Sequence, residues 1–392
     1  MIGDYMAANG SAEFSNMVFL ATNESQKYAE RVYSSLKEKL PPDVDLPEIG
    51  HVAVRYYPGG MEIYPVVNVS VRNKRVYLFH HCLDYKGQKT DSNIGLAKVS
   101  LIGDALRNSS PEQIVYIIPW FPYQRQDRLD RPRVPISARW ALRQLDAPDS
   151  KIRVRLVTYD MHANAAQGFV PYQIDNLYTD PLVHEYLMRK FILKDMDFSH
   201  ELKLTDGEKA EINRELKERV AIVSPDVGAA TRSRRLAKTF GGDMVMVDKR
   251  RPKGGQSEVM NVLGAPYVRG KIAFIPDDIV DTAGTQINAA YALRKYRPTE
   301  IYGFGAHGML NKNKKGEPAE ERIRKAGLKI AVMDTIPRSS SYIIANEDWL
   351  DVIPTFRFTG NILLEIQRQS GSVSKYFEDG EREIKDDLKP MD

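Results

Sequence analysis

The pattern that most constrains this chain is a recurrence: a short apolar run, then a turn signal, then a segment whose apolar residues have helical spacing. "MVFLATNESQKYAERVYSSLKEKL" is the first case, with Asn23 or Ser25 as the candidate helix cap. "QIVYIIPWFPYQRQ", "KIRVRLVTYDMHANAAQ", "RVAIVSPDVGAATRSRRLAKTF", "KIAFIPDDIVDTAGTQINAAYALRKY" and "EIYGFGAHGML" repeat it. Strands that read as unbroken apolar runs are buried on both faces, and strands alternating with helices form largely parallel sheets covered by those helices. The expected class is therefore α/β. A length of 392 residues allows two such domains. A cut near 178–186 divides the chain into an N-terminal domain over 1–180, a C-terminal domain over 181–377 and a charged tail over 378–392. Residues 195–219 are strongly charged and precede a strand, which predicts a solvated helical excursion.

Charge excludes little: 56 basic against 52 acidic residues leave a net +4, which by itself argues for neither nucleic acid nor a membrane surface. The single cysteine, Cys82, rules out an internal disulfide and fits a reducing compartment. The opening residues show no basic segment leading into an apolar core, and no apolar run approaches the roughly 18 residues of a membrane span. A soluble, cytoplasmic protein is expected.

In parallel α/β sheets ligands sit at the carboxyl ends of the strands, and there the unusual residues fall: Asp160, His162, Asp226, Asp277, Asp278 and His307. The densest group is "DDIVDTAGTQ". A strand that ends in acids and continues through Asp281, Thr282, Ala283, Gly284 and Thr285 into a helix aims backbone N–H groups, two hydroxyls and a helix N-terminus at one spot. A phosphate fits there, and the adjacent carboxylates can accept hydrogen bonds from sugar hydroxyls. One ligand with a phosphate and a diol explains the acids beside an anion cradle; the blander alternative is that the acids cap the helix. The loop lacks the alternating acids of an EF-hand and the Gly-Lys-Thr/Ser ending of a Walker A loop.

Other stretches are less decisive. "SPDVGAATRSRR" joins Asp226 and Gly228 to Arg232, Arg234 and Arg235, and reads equally as a metal-phosphate loop or as a tight turn with a basic face. His162, two residues after Asp160, suits a role near a metal-bound phosphate, although lone histidines are more often structural. His80-His81-Cys82 resembles a metal tripod only superficially, because neighbours in a strand point to opposite faces. "WFPYQRQDRLDRPRVPISAR" interleaves aromatics with Arg125, Arg128, Arg131, Arg133 and Arg139, and suits single-stranded nucleic acid or one nucleotide. Asp127 and Asp130 weaken the polyanion reading. "VDKRRPKGG" places Lys249, Arg250 and Arg251 after a short strand, as a flexible basic loop or a mobile arm that closes cations over a transition state.

Taken together, "YQRQDRLDRPRVPISAR", "DMHANAAQGFVPYQIDNLY", "SPDVGAATR", "DKRRP", "DDIVDTAGT", "AHGML", "DTIP" and the closing "SVSKYF" stand in the order found in ribose-phosphate pyrophosphokinases. From about residue 17 to 377 the chain resembles that family. The resemblance implies two phosphoribosyltransferase-type domains and a Mg2+-dependent transfer of the β,γ-diphosphoryl group of ATP to the 1-hydroxyl of ribose 5-phosphate, releasing AMP, for nucleotide biosynthesis. It assigns Asp277 and Asp278 to the ribose hydroxyls, and Asp281, Thr282, Ala283, Gly284 and Thr285 to the 5-phosphate. It assigns His162 and Asp226 to Mg2+ on the ATP phosphates, and Arg125, Gln126 and Asp130 to ATP. Lys249 and Arg251, with His162, fall at the catalytic positions.

The chain departs from the family in three places. The loop that in the family reaches a neighbouring subunit's adenine reads "YYPGGMEI" here, with Tyr56 or Tyr57 as the aromatic. The 195–219 segment is longer than usual, and "DSNIGLAKVS" is less acidic. A homo-oligomer with active sites near a subunit interface is the implied assembly. Two other functions compete: a phosphoribosyltransferase, which leaves the arginine-rich segment and Lys249 and Arg251 unexplained, and a catalytically silent regulatory homologue, which has no need of the whole cationic set.

Overall fold

The computed structural model describes residues 14–42, 44–60, 62–83, 91–146, 151–250, 259–368 and 373, without the side chains of residues 249, 250, 259 and 260. Among these residues the chain forms two compact units, one running to Tyr178 and resuming at Thr355, the other spanning Thr179–Pro354.

The first unit is built on strands β1 (Met17–Thr22), β2 (Ile49–Tyr56), β3 (Ile63–Val67), β4 (Arg75–Phe79), β5 (Gln113–Ile117), β6 (Arg153–Tyr159) and β7 (Gln173–Leu177), with helices α1 (Gln26–Lys37), α2 (Ser92–Arg107) and α3 (Ser137–Arg143). The second has α4 (Asp180–Leu187), α5 (Asp206–Arg219), β8 (Val220–Ser224), α6 (Ala230–Phe240), β9 (Asp243–Arg250), β10 (Val259–Leu263), β11 (Ile272–Val280), α7 (Gly284–Arg294), β12 (Glu300–Gly308), α8 (Ala319–Lys325), β13 (Lys329–Met333), α9 (Ser340–Ile344) and β14 (Leu350–Ile353). Helix α10 (Phe356–Gln367) follows.

The two sheets repeat one topology. Their orders are β3-β2-β1-β4-β5-β6-β7 and β10-β9-β8-β11-β12-β13-β14, each parallel except for its edge hairpin. Every residue of β8 and nearly all of β11 and β12 are apolar or small and largely buried, the continuous pattern of strands covered on both faces. In each sheet the strand order reverses between the first strand of the unit and its fourth, β1/β4 and β8/β11. Such a reversal opens a crevice at the carboxyl edge.

The cut between the units falls between Tyr178 and Thr179, but the assignment of everything up to 377 to the C-terminal domain is corrected at Thr355. Helix α10 belongs to the first unit because that core contains tyrosine hydroxyls needing partners. Tyr28 bonds Thr359 at 2.5 Å and Thr355 at 2.9 Å, Tyr159 bonds Thr359 at 2.6 Å, and Tyr77 donates to the Gln367 side chain at 2.7 Å. Buried hydroxyls are costly unless satisfied, and Ile362 and Leu363 add fully buried apolar surface. The tail over 378–392 lies outside the described residues.

The charged excursion holds a helix, as expected. Thr205 and Glu208 form a reciprocal capping box at the start of α5. Its lead-in is tied to the fully buried Arg189, which donates to Glu185 at 2.7 Å, Asp195 at 3.1 Å and the His200 carbonyl at 2.7 Å. No helix among the described residues is long and apolar enough to cross a membrane.

Candidate functional site

In the second unit the crevice between β8 and β11 receives the loops the sequence singles out. Asp226 follows β8, and the acids of "DDIVDTAGT" lie on or just after β11, its direct neighbour.

The strand does not end in Asp277 and Asp278, as the sequence suggested: β11 runs two residues further, to Val280, with Asp277 opposite Gly305 and Ile279 opposite His307. The close approach of the two strands relies on a glycine in the partner: a Cβ on Gly305 would stand 2.5 Å from Val280 Cγ2. Each carboxylate accepts from the next backbone N–H, Asp277 from Asp278 at 3.0 Å and Asp278 from Ile279 at 2.9 Å. Burial, with Asp278 alongside, raises the Asp277 carboxyl to about 8, against the opposing pull of Arg232. His307 is buried and bonded to the Thr335 hydroxyl at 3.0 Å, which in turn donates to the Ala306 carbonyl at 2.7 Å.

The cradle proper begins at Asp281. Its backbone carbonyl accepts from the Asn311 N–H at 2.8 Å and its carboxylate from the Asn311 amide at 2.7 Å. Ala283 adopts the left-handed region, φ 56°, and α7 starts at Gly284 with no side-chain cap. A non-glycine residue there costs about 1 kcal/mol. The first-turn N–H groups of α7 are left without a side-chain cap, and the Thr282 hydroxyl lies 3.5 Å from where a Cβ on Gly284 would stand. Arg322, from α8, donates to the Thr282 carbonyl at 2.5 Å.

Asp226 braces the turn that leads into α6: one carboxylate oxygen accepts from the Ala229 N–H at 3.0 Å, and a Cβ on Gly228 would come within 3.2 Å of it. Lys249 and Arg250 do not follow a short strand; they are its last two residues, Lys249 opposite Met260 and Arg250 opposite Val259. Arg251 lies outside the described residues.

In the first unit the ATP-assigned segment leaves β5 and the His162 segment leaves the adjacent β6. Gln124 joins them. It is 2% exposed, and its Oε1 accepts from the His162 backbone N–H at 2.8 Å while its Nε2 is buried without a hydrogen-bond partner. Both segments carry left-handed residues just upstream, Tyr123 at φ 63° and Asp160 at φ 34°, the kind of strain that gathers at functional loops. Arg125, Asp130 and His162 are exposed. The Gln126 Oε1 accepts from the Ser137 hydroxyl at 2.9 Å, which fixes it to the start of α3.

Tyr56 and Tyr57 are about half exposed, on the turn of the β2–β3 hairpin, where Tyr57 packs on Tyr64 with ring centroids 4.9 Å apart. Strands β1 and β4 separate β2 from β5, so the strands that carry the hairpin and the Arg125 loop lie about 14 Å apart across the sheet.

The reversal crevice of the first unit is filled by its own side chains. His80 bonds the Thr22 hydroxyl at 3.1 Å and the Gly95 carbonyl at 2.9 Å, and His81 bonds the Ser25 hydroxyl at 2.8 Å. Ser25 precedes α1 but caps nothing with its side chain, which is spent on His81. Burial pushes His80 down to about 4. Burial alone would raise the Glu24 carboxyl, but the bonded Lys98 ammonium, aided by His80, brings it down to about 2.

Sequence reading missed Gln124, Asn311 and Arg322. Gln124 sat inside a quoted motif as one more polar residue. Asn311 and Arg322 lie 30 and 40 residues from their partners in the cradle, a pairing no local signal announces.

The chain is similar to known proteins over most of its length. The N-terminal domain of ribose phosphate pyrophosphokinase matches residues 17–147, and the phosphoribosyl transferase domain matches residues 203–324. A ribose-phosphate pyrophosphokinase of Hyphomonas neptunium is 31% identical over 318 residues, covering 81% of this chain and 88% of that protein. One from Campylobacter jejuni is 34% identical over 296 residues, covering 75% and 82%. The crystal structure of phosphoribosylpyrophosphate synthetase from Mycobacterium smegmatis superposes on 90% of this chain and 98% of its own with a TM-score of 0.67 at 24% identity, a shared fold.

Proposed function

Because the chain belongs to the ribose-phosphate pyrophosphokinase family, we propose that it transfers the β,γ-diphosphoryl group of ATP to the 1-hydroxyl of ribose 5-phosphate, yielding 5-phosphoribosyl 1-diphosphate and AMP for nucleotide biosynthesis. The observation that carries this reading is the succession, at the β8/β11 reversal, of a two-carboxylate seat near the end of β11 and, directly after that strand, a helix start whose first turn has no side-chain cap. A diol at one end and a phosphate at the other describe ribose 5-phosphate.

In this reaction the sugar's 1-oxygen bonds to the β-phosphorus as the bond from that phosphorus to the α,β-bridging oxygen breaks, so that AMP leaves. Such a transfer asks for alignment and charge neutralisation rather than a covalent nucleophile. Asp277 and Asp278 orient the ring by accepting from its hydroxyls, and Asp281–Thr285 anchor the 5-phosphate. Arg125, Gln126 and Asp130 are assigned to ATP, and Lys249 and Arg251 to charge on the transferring group.

Mg2+ suits the donor set. Asp226 uses one oxygen on the turn before α6 and keeps the other for a ligand, His162 is exposed, and no cluster of three ligating side chains exists among the described residues. An ion that arrives on nucleotide phosphates and keeps most of its waters needs only one or two protein contacts. When bound it neutralises phosphate charge.

The separation of Tyr56 and Tyr57 from the Arg125 loop supports a homo-oligomer in which the hairpin serves the ATP site of a second copy. The cytoplasm suits a chain whose one cysteine is buried and free.

Incubating purified protein with ATP, ribose 5-phosphate and Mg2+ tests the reading. AMP and phosphoribosyl diphosphate should appear together in equal amounts; if no AMP forms, even with added inorganic phosphate, the proposal fails.

A further inference from the structure

We propose that Arg322 is the specificity-determining residue of the sugar-phosphate seat: its guanidinium takes the phosphate dianion and makes the seat prefer a phosphorylated sugar to the free one. This rests on the reading that Asp281–Thr285 hold the 5-phosphate.

Arg322 stands on α8 in the stretch "AEERIRK", which reads as an ordinary charged helix surface. The fold gives it another place. Its Nη1 donates to the Thr282 carbonyl at 2.5 Å, and its Nη2 lies 3.8 Å from the position a Cβ on Gly284 would take. The same Cβ would be 3.5 Å from the Thr282 hydroxyl. A side chain at 284 would meet ordinary contacts there, so glycine is not needed to avoid a clash. Its absence leaves open the space between the hydroxyl, the guanidinium and the first turn of α7.

The charges around that space do not balance. The carboxylate nearest Arg322 is Glu317, 3.9 Å from Nε and about half exposed, too far for a hydrogen bond. Nη2 has no partner among the described residues. A guanidinium beside a helix N-terminus is repelled by the positive end of the helix dipole. The arrangement is favourable once an anion lies between them. The planar fork of arginine can hold the loop carbonyl with one nitrogen and a phosphate oxygen with the other, which a lysine cannot do at once.

The experiment is calorimetric titration of ribose 5-phosphate, of inorganic phosphate and of unphosphorylated ribose into the full chain and its Arg322→Met and Arg322→Lys variants, with thermal melting of each unliganded protein. Arg322→Met should weaken ribose 5-phosphate binding about 30-fold or more and abolish phosphate binding, with ribose affinity and the melting temperature essentially unchanged. Arg322→Lys should fall between, and carries the test if the methionine variant does not fold. Ribose 5-phosphate affinity within twofold of wild type in either variant would overturn the proposal. So would a parallel loss of ribose and ribose 5-phosphate with a lowered melting temperature, the mark of a purely structural clip on Thr282. A wild-type protein that binds ribose 5-phosphate yet forms no AMP would refute the transfer reaction and leave this assignment standing; one that does not bind it would sink both.

Discussion

Asp277 and Asp278 are consecutive residues of one strand whose carboxylates each accept from the following backbone N–H, at 3.0 and 2.9 Å, so two acids share a largely buried seat with no cation bonded to Asp277 among the described residues. The fold tolerates this by raising the Asp277 carboxyl to about 8.

A pH dependence follows from that shift. Unfolded, Asp277 titrates near its ordinary 3.8; folded, it holds its proton to about 8. Between those values the folded state binds more protons, so this group's contribution to stability is complete below about 4 and is lost as the pH rises through 8. Asp277→Asn removes the penalty. It should melt about 5 °C higher than wild type at pH 8, equivalent to roughly 1–3 kcal/mol, with little difference at pH 4, and should no longer bind ribose 5-phosphate. Melting curves across that range check both signs.

Ala283 holds the cradle in a left-handed turn at φ 56°. A β-branched side chain is a much poorer fit there than alanine. Ala283→Val should therefore cost about 2 kcal/mol and lose ribose 5-phosphate binding. Ala283→Gly, which relieves strain but frees the unfolded chain, should stay within about 1 kcal/mol of wild type. Denaturant unfolding and ligand titration on the two variants distinguish them.

Gln124 should matter through His162. Removing the acceptor of the His162 N–H uncouples the two loops, so Gln124→Ala is expected to lower kcat/KM for ATP about tenfold, with ribose 5-phosphate affinity unchanged and about 1 kcal/mol of stability lost. Steady-state kinetics with each substrate varied in turn would show whether the loss is confined to ATP.

Lys98 and Glu24 are both largely buried, with 9% and 13% of their side chains exposed. Lys98→Met removes the cation bonded to the buried Glu24 carboxylate and should destabilise the chain by about 3 kcal/mol at neutral pH. Glu24 is depressed from 4.5 to about 2, so the stability it contributes is present above 4.5 and is lost as the pH falls through 2. The gap between variant and wild type should narrow over that interval in urea unfolding experiments.

Lys249 is assigned to the transferring group rather than to the acceptor. Lys249→Ala should lower turnover on the order of 100-fold or more while ribose 5-phosphate binds within about threefold of wild type. Comparable losses in rapid-quench turnover and equilibrium binding would contradict the assignment.

What the sequence determined by itself was whatever depends on neighbours in the chain. Apolar runs between turn signals fixed strands and class, because burial on both faces demands continuous apolarity; Thr-Ala-Gly-Thr after a strand marked the turn into a helix, which starts at Gly284. What only the tertiary structure decided depends on residues far apart. Nothing in "FRFTGNILLEIQ" says that its threonine will satisfy Tyr28 and Tyr159 and carry the chain's end back to the first unit. Nothing near β1 says that its crevice will be plugged by His80 and His81. Local spacing encodes periodicity and caps. The choice of which crevice to fill, and of Asn311 and Arg322 to brace the other, is made by packing between strands and helices tens of residues apart.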